Sequence, residues 1–406
     1  MIETGLLRKI AHDFGTPCYV FDAGEAVSRA REVRKGLQVP GFPAPVQFVY
    51  SIKANPFLIE PLIPVVDALE VCSPGELAIC RELGVPGEKI IYSGVNKGAE
   101  DVRDALGAVD ESVRIVTIES PRHFQLVRSA VQETGVRVDV ILRLSAKNQF
   151  GMSKEDARVI LAEAAKEDQI RVTGLHYFAG TARKRKHRQE EIGMLAGLLD
   201  ELKGKFAGDL PFLEYGPGLG YPYFSDEDFS DTMAPLSELA EDLAPLAGKC
   251  ELSVEMGRFL ASSCGTYLTG VADLKCADDH RWCILDGGIN HVNYLGQIMG
   301  LKQPVIRNLS ANKLFGTVQS GPDHWTLCGS LCTANDVLVR DFGANDLQIG
   351  DVLAFEHIGA YSVTEGLYLF LSRDLPAVVM RDEDGSVRKL RGHEPTWTLN
   401  TKNLEV

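Results

Sequence analysis

A lysine, a glutamate and two glycine-bearing segments of this sequence have the types and positions that imine chemistry requires. Lys53 ends an apolar run, and a lysine partly withdrawn from water has a lowered pKa and can form a Schiff base. Glu255 ends another such run, and a carboxylate that faces a pyridine nitrogen keeps it protonated and able to withdraw electrons from a carbanion. Each has a plainer interpretation: Lys53 as a surface lysine, and Glu255 as a structural salt bridge to Arg258.

Two glycine-bearing segments suit a phosphate group. Residues 216–220 read G-P-G-L-G, and Gly257 is followed by Arg258. Glycine lets backbone N–H groups approach an anion closely, and arginine adds a forked cationic donor. The dinucleotide fingerprint requires G-x-G-x-x-G, which residues 216–220 lack. We therefore predict a phosphate site, with an ordinary turn as the alternative for residues 216–220.

Short β-rich runs alternate with amphipathic helical patterns between about residues 45 and 260. The runs cover residues 46–51, 68–72, 89–93, 114–118, 137–144, 171–178, 211–215 and 251–255. This alternation predicts an α/β fold, a (β/α)8 TIM barrel, with a doubly wound open sheet as the competing architecture. In a barrel the active site forms at the carboxyl ends of the strands. The ends of these runs carry Lys53, Ser93, Glu119, Arg143, His176, Phe178, Gly216, Gly218, Glu255, Gly257 and Arg258.

The pattern changes after about residue 260. Short β-rich runs follow one another there without long helices, and Gly, Asp and Asn separate them. We therefore predict a barrel domain over residues 26–262 and a C-terminal all-β domain over residues 263–406. Residues 1–25 are expected to join the second domain, because a strand-like run at residues 17–22 precedes the first barrel unit.

Composition narrows the functional class. The 406 residues are 45% apolar and 24% charged, which is typical of a globular protein. A net charge of −14 argues against broad nucleic-acid binding. The sequence contains neither an apolar run long enough to cross a membrane nor a signal-peptide pattern, which predicts a cytoplasmic protein without a membrane partner. The nine cysteines are an odd number without paired zinc-binding spacing, so we predict reduced thiols and no metal site.

The order of these motifs resembles that of the fold-type III decarboxylases. These enzymes have the alanine racemase fold, use pyridoxal 5′-phosphate and include diaminopimelate, ornithine and arginine decarboxylases. The resemblance covers nearly the whole chain and rests on residues 19–22, 50–55, 72–77, 174–181, 216–220, 255–258, 332–336 and 359–361. It implies an amino-acid decarboxylase that works as a homodimer, with active sites built from both chains.

The resemblance also implies a role for each candidate residue. Lys53 would form the Schiff base, Glu255 would face the pyridine nitrogen, and Arg143 would lie near the O3′ side of the cofactor. Cys332 of the partner subunit would return a proton to the α-carbon after carbon dioxide leaves. Other cofactor contacts would come from Phe178, Gly216, Gly218, Gly257, Arg258 and Tyr361, and substrate contacts from Asp286, Thr333 and Asp336.

Two departures from the family pattern bear on ring stacking and on the substrate. Phe178 stands where the family usually has a histidine stacked on the cofactor ring, and His176, on the same strand face, is either a catalytic proton-transfer residue or a structural one. Thr333 follows Cys332 where diaminopimelate and ornithine decarboxylases have an acid that binds the distal ammonium. This form resembles relatives in natural-product biosynthesis, including one that acts on a carrier-bound glutamyl group. The substrate is therefore either a free or a carrier-bound amino acid.

Residues 183–188 are strongly basic and start just beyond the sixth predicted strand. They are either a solvated helix start or a docking site for an acidic substrate or carrier protein. Two other functions compete with decarboxylation. A racemase of the same fold would place an arginine at the pyridine nitrogen, so Glu255 disfavours it. A non-catalytic, decarboxylase-like binding protein is disfavoured because Lys53, Glu255, Arg258 and Cys332 are all present.

Overall fold

The chain divides into two compact units. The computed structural model describes residues 1–107, 112–295, 300–310, 323–344 and 347–402. The barrel unit contains residues 27–221 and 231–260, and the β unit contains residues 1–26, 222–230 and 261–406. Residues 222–230 lie between two barrel strands in the chain, so the β unit is assembled from three separate pieces.

In the part of the chain that the structure describes, eight parallel strands close into the predicted barrel. The first nine strands are β1 (Cys18–Asp22), which belongs to the β unit, and then β2 (Gln47–Ser51), β3 (Ala68–Val71), β4 (Ile90–Tyr92), β5 (Ile115–Ile118), β6 (Val138–Arg143), β7 (Ile170–Phe178), β8 (Phe212–Gly216) and β9 (Glu251–Met256). Strand β9 pairs with β2 and closes the ring. The predicted runs match β2 to β9 to within one residue at either end.

Helices follow the barrel strands, and serine caps fix where several of them begin. The helices are α1 (Thr4–Phe14), α2 (Ala23–Gly36), α3 (Ile59–Leu62), α4 (Pro74–Glu82), α5 (Ala99–Leu106), α6 (Pro121–Thr134), α7 (Lys154–Ala164), α8 (Arg185–Glu201), α9 (Ala234–Asp242) and α10 (Arg258–Ala261). Ser73, Ser120 and Ser153 accept hydrogen bonds from the backbone N–H three residues on, at 3.2, 3.2 and 3.0 Å. Such caps pair an N–H that the helix leaves unbonded. Among the described residues, no helix has both the length and the apolar character to cross a membrane.

The inside of the barrel changes from apolar to polar along the strands. An apolar layer is formed by Val49, Ala68, Ile91, Ile115, Ile141 and Phe212. Because side chains in a strand alternate between faces, the residue two positions further along points to the same interior. Those residues are Ser51, Glu70, Ser93, Thr117, Arg143 and Glu214. A layer of mostly polar side chains therefore lies next to the apolar layer, toward the carboxyl ends of the strands.

The β unit is built on a nine-stranded sheet in the described residues. Its further strands are β10 (Gly265–Ala277), β11 (His280–Leu285), β12 (Ile306–Asn308), β13 (His324–Cys328), β14 (Val337–Gly343), β15 (Val352–Glu356), β16 (Ala377–Arg381) and β17 (Val387–Arg391). The fully buried strand β1 pairs antiparallel with β10 and parallel with β16. The sequence shows no clear β-rich run at β12 or β13, because one is three residues long and the other carries His324 and Thr326 among its few apolar residues.

Candidate active site

Lys53 follows β2 and forms an ion pair with a buried carboxylate. Its Nζ donates to Oε2 of Glu70 at 2.7 Å and lies 3.5 Å from Sγ of Cys72. Burial acts to raise the pKa of Glu70, but the Lys53 ammonium, with smaller contributions from His176 and Ser51, lowers it to about 2. Glu70 therefore stays ionised and holds the lysine at the carboxyl end of the barrel.

The turn that carries Lys53 is fixed on two sides. The Tyr50 hydroxyl donates to the Asn55 carbonyl at 2.8 Å and ties the end of β2 to the residues after the turn. Gly257 packs against the same turn, since a Cβ there would lie 3.0 Å from Cβ of Ala54 and 3.3 Å from the Ser51 carbonyl oxygen. A larger residue at Gly257 would push on the turn. The motif at residues 50–55 and the glycine after β9 thus position Lys53 together.

An ion pair with Glu119 holds Arg143 at the end of β6 and leaves its Nε donor available. Its Nη1 donates to Oε1 of Glu119 at 3.0 Å, and the guanidinium lies 4.9 Å from the centre of the Phe150 ring. The other Glu119 oxygen accepts from the Gly151 N–H at 3.1 Å. The buried Nε of Arg143 has no hydrogen-bond partner among the described residues. Such a donor fits an oxygen of a bound cofactor or substrate.

Glu255 lies beside a histidine and an aromatic ring. Nε2 of His176 is 3.5 Å from Oε2 of Glu255, and these side chains are 1% and 6% exposed. A Cβ on Gly216 would lie 2.4 Å from Oε1 of Glu255 and 2.6 Å from Cδ2 of Phe178. Only glycine therefore lets the acid and the aromatic ring approach the same stretch of backbone. Lys53 lies near Glu255, because it follows β2. Strand β2 pairs with β9, and Val49 is opposite Glu255 in that pairing.

The glycine-bearing loops after β7 and β8 touch each other. Gly218 has a φ of +58°, and a Cβ there would lie 1.9 Å from the Gly180 carbonyl oxygen. The Arg183 N–H donates to the Gly218 carbonyl at 2.9 Å. Arg258 is half-buried and begins α10, next to Gly257. These segments surround the barrel end where the resemblance predicts the phosphate.

The predicted site residues of the β unit lie on connected loops. Cys332 is exposed and Thr333 half-buried, and a single carboxylate anchors their loop. Asp336 is 2% exposed and accepts from the Leu331 N–H at 2.7 Å and from the Ile289 N–H at 2.8 Å. Each Asp336 oxygen thus accepts a backbone hydrogen bond. In this structure Asp336 orders the Cys332 loop, and its predicted role as a substrate ligand stays a prediction.

Asp286 and Tyr361 are also held within the β unit. Asp286 accepts from Oγ1 of Thr16 at 2.5 Å, from Oγ1 of Thr269 at 2.7 Å and from the Gly270 N–H at 2.9 Å. Tyr361 is half-buried and has a φ of +69°, a left-handed conformation that is uncommon for a residue with a side chain. Both positions are therefore well defined, and their predicted contacts stay predictions.

The sequence analysis overlooked Lys97, a buried lysine in the loop after β4. Lys97 is 1% exposed, its Nζ donates to the Gly94 carbonyl at 2.5 Å, and it lies 5.4 Å from the centre of the Tyr92 ring. Burial lowers its pKa to about 8. A lysine at the carboxyl end of a barrel strand was a usable signal, but its burial depends on how the loop folds.

The basic segment at residues 183–188 is largely neutralised by the barrel unit itself. Nε of Arg183 pairs with Glu191 at 3.0 Å, and Arg185 pairs with Glu241 at 2.6 Å. Arg188 pairs with Glu238 at 2.9 Å. Among the six residues, Lys184, Lys186 and His187 are exposed, and α8 begins at Arg185. The positive charge available to an acidic partner is therefore smaller than the sequence suggests.

Comparison with known proteins identifies the family. The model of the pyridoxal-binding domain of pyridoxal-dependent decarboxylases matches residues 24–262. The chain belongs to this family. It is 26% identical to the diaminopimelate decarboxylase of Aquifex aeolicus, over 100% of this chain and 96% of the relative, and 26% identical to that of Pseudomonas aeruginosa, over 94% and 92%. This member of the pyridoxal-dependent decarboxylases shares its fold with the M. jannaschii diaminopimelate decarboxylase crystallised with L-lysine, at a TM-score of 0.82 and 24% identity, over 98% of this chain and 94% of the other.

This pyridoxal-dependent decarboxylase is a carboxy-lyase that acts on an amino acid and uses pyridoxal phosphate. The comparisons support the decarboxylase rather than the racemase or the non-catalytic binding protein. The residues also fit the cofactor. Lys53 would supply the amine. The Nε donor of Arg143 and Oε2 of Glu255 are buried and lack a hydrogen-bond partner among the described residues, and Gly216 leaves space between Glu255 and Phe178.

Proposed function

We propose that the chain decarboxylates an amino acid whose distal end carries a carboxylate, in a homodimer whose active sites combine Lys53 and Glu255 with Cys332 of the partner subunit. The observation that carries the catalytic part is the pairing of β2 with β9, which brings the Lys53 turn and Glu255 to neighbouring strands at one end of the barrel. An amine and an acid at that end are what pyridoxal phosphate needs at its aldehyde and at its ring nitrogen.

The chain's own residues have separate tasks in this proposal. When bound, pyridoxal phosphate accepts the electron pair that carbon dioxide leaves on the α-carbon. Lys53 would bind the aldehyde carbon, and Glu70, ion-paired to it at 2.7 Å, orients its amine. Glu255 would keep the ring nitrogen protonated, and Phe178, which approaches Gly216 as Glu255 does, would supply an aromatic contact. Cys332 of the partner subunit returns a proton to the α-carbon, because an exposed thiol on an anchored loop can reach a neighbouring chain.

The substrate proposal rests on the charges around the Cys332 loop. Thr333 supplies no negative charge for a distal ammonium. A cation that touches this loop is Arg373, whose Nη2 donates to the Ser330 carbonyl at 2.9 Å. Arginine binds carboxylates through paired hydrogen bonds. A substrate with a distal carboxylate therefore suits the loop better than lysine or ornithine, whose only distal charge is an ammonium. Glutamate carries a distal carboxylate alone, and the diaminopimelate in the relatives' names carries both groups.

A substrate panel tests this preference. The better of diaminopimelate and glutamate should have a kcat/KM about ten- to a hundred-fold above that of lysine or ornithine, the range expected for one charged hydrogen bond. Release of carbon dioxide from each amino acid measures it. Arg373→Gln should reduce the preference, whereas the exposed Arg340→Gln should leave it unchanged. A kcat/KM for lysine or ornithine equal to or above those of the dicarboxylic substrates would contradict the substrate proposal.

An apolar surface next to the Cys332 loop supports the homodimer. Leu369, Phe370 and Leu371 are each nearly half exposed, and Trp397 and Leu399 are 58% and 71% exposed. The two segments adjoin, because Nδ2 of the nearby Asn400 donates to the Leu369 carbonyl at 2.7 Å. An exposed apolar patch of this kind commonly marks a protein contact, and a two-fold dimer would bury it twice.

Co-expression of two inactive variants tests the shared site. Cys332→Ala should lower turnover about a hundred-fold, the usual contribution of a proton-transfer residue. When it is co-expressed with Lys53→Ala, half of the dimers are mixed and each has one intact site, so activity should recover to roughly a quarter of wild type. Activity no greater than the sum of the separate variants would argue against a site shared between chains.

A carrier-bound substrate is the second candidate. The observation in its favour is the exposed pair Lys184 and Lys186 at the start of α8, whose loop leaves the carboxyl end of β7. Acidic carrier proteins are attracted to such charges. Glutamate attached to a carrier protein therefore belongs in the same panel, and a KM for it that Lys184→Gln and Lys186→Gln leave unchanged would remove this candidate.

A further inference from the structure

Buried polar side chains inside the barrel lack hydrogen-bond partners. Oε1 of Gln47, Oγ of Ser253, both carboxyl oxygens of Glu214 and both ring nitrogens of His176 have none among the described residues. We call these four residues the interior polar row. They are register neighbours on adjacent strands, because Ser253 pairs with Gln47 and with Glu214, and Glu214 pairs with His176. Glu255 lies on the same strand face as Ser253, two residues further along.

Burying the interior polar row destabilises the fold unless hydrogen-bonding partners lie between its side chains. Each buried polar group without a partner costs about 1–3 kcal/mol. Ordered water is the usual partner of buried polar groups that face one another. Glu214 is 0% exposed, so a negative charge on it would face this interior without a cation of its own. An ionised Glu214 is therefore less favourable in this interior than a neutral Glu214.

We propose that Glu214 is a positioning residue that stays a neutral carboxylic acid and, through ordered water shared with Ser253 and His176, directs a hydrogen bond toward Glu255. The negative charge of the region then resides on Glu255, where the ring nitrogen of the cofactor needs it. This inference rests on the proposed function in one respect, the role of Glu255 at that nitrogen.

The charges around Glu214 agree with a neutral acid. Burial raises the pKa of Glu214 well above its usual value, and Glu255 on β9 and Glu70 on β3 raise it further. Lys53 after β2 and Arg114 before β5 lower it, but by less than these effects. Lys53 is moreover paired with Glu70 at 2.7 Å, and the remaining titratable neighbour, His176 on β7, contacts Glu255 rather than Glu214.

Infrared spectroscopy of the holoenzyme tests the proton directly. At neutral pH the wild type should show the C=O stretching band of a protonated carboxylic acid, shifted in deuterated water, and Glu214→Gln should abolish it. Glu190→Gln, which changes an exposed acid on α8, is the matched control and should keep the band. A band that persists in Glu214→Gln, or its absence from the wild type, would overturn the proposal.

Two substitutions at Glu214 separate hydrogen bonding from charge. Glu214→Gln keeps a neutral hydrogen-bonding group, so kcat and the pH dependence of the cofactor's visible absorbance should stay within about two-fold of wild type. Glu214→Leu fills the space without hydrogen bonds and should lower kcat about ten-fold and shift that pH dependence. Equal behaviour of the two variants would contradict the positioning role, and the infrared result stands even if the leucine variant folds poorly. Loss of cofactor attachment to Lys53, measured by borohydride labelling, would instead count against the proposed function.

Discussion

Replacing Lys53 by alanine should remove turnover and the covalent hold on the cofactor together. Lys53 is the amine that the turn after β2 presents at the carboxyl end of the barrel, with Glu70 ion-paired to it at 2.7 Å. Loss of a residue that bonds covalently in the reaction typically lowers kcat on the order of a thousand-fold or more. Borohydride reduction followed by peptide mass spectrometry should find the cofactor's mass on the Lys53 peptide of the wild type and nowhere in the variant.

Two lysines provide the comparison for this experiment. Lys166→Ala changes an exposed lysine after α7 and should leave both labelling and turnover at wild-type levels. Lys97 is a buried lysine in the loop after β4, so its peptide is the place to search for a misassigned label. If the reduced cofactor were found on the Lys97 peptide of the wild type, Lys97 and not Lys53 would be the residue that forms the Schiff base.

The barrel could be predicted from the sequence because parallel strands are buried on both faces. Such strands appear as short apolar runs with sharp ends, and β2 to β9 were located to within one residue. Helix starts are equally local, because Ser73 and Ser153 each accept a hydrogen bond from the backbone N–H three residues further along the chain. Since the rim of a barrel is defined by strand ends, the candidate residues on that rim followed from the strands alone.

Contacts between residues that are distant in the chain could not be predicted from the sequence. Glu214 interrupts the apolar run of β8 at an interior position, but its lack of a partner depends on His176 and Ser253 on the neighbouring strands. The family resemblance predicts that Asp336 contacts the substrate, and that contact stays a prediction. No local pattern predicted that its oxygens accept hydrogen bonds from the Leu331 and Ile289 N–H groups. Such pairings are set by tertiary packing, which local patterns do not encode.

Replacing Glu255 by glutamine should lower kcat about a hundred- to a thousand-fold, the range found when a preorganised electrostatic partner is lost. The amide keeps the size of the side chain but cannot hold a proton on the ring nitrogen. Since Lys53 is untouched, borohydride should still attach the cofactor to it. Glu255→Asp, which keeps the charge, should recover part of the lost rate, and Glu190→Gln on the surface of α8 should have no effect.

The same chemical change is thus expected to have opposite consequences at two acids on neighbouring strands. The proposed role of Glu255 requires a carboxylate, so its amide should lower kcat strongly. The proposed role of Glu214 requires a neutral group, so its amide should be tolerated. Both side chains are buried, at 7% and 0% exposed, so exposure alone does not separate them. Steady-state kcat should be measured for Glu255→Gln and Glu214→Gln side by side. A similar loss of kcat in both variants, or a loss in Glu214→Gln alone, would contradict this assignment.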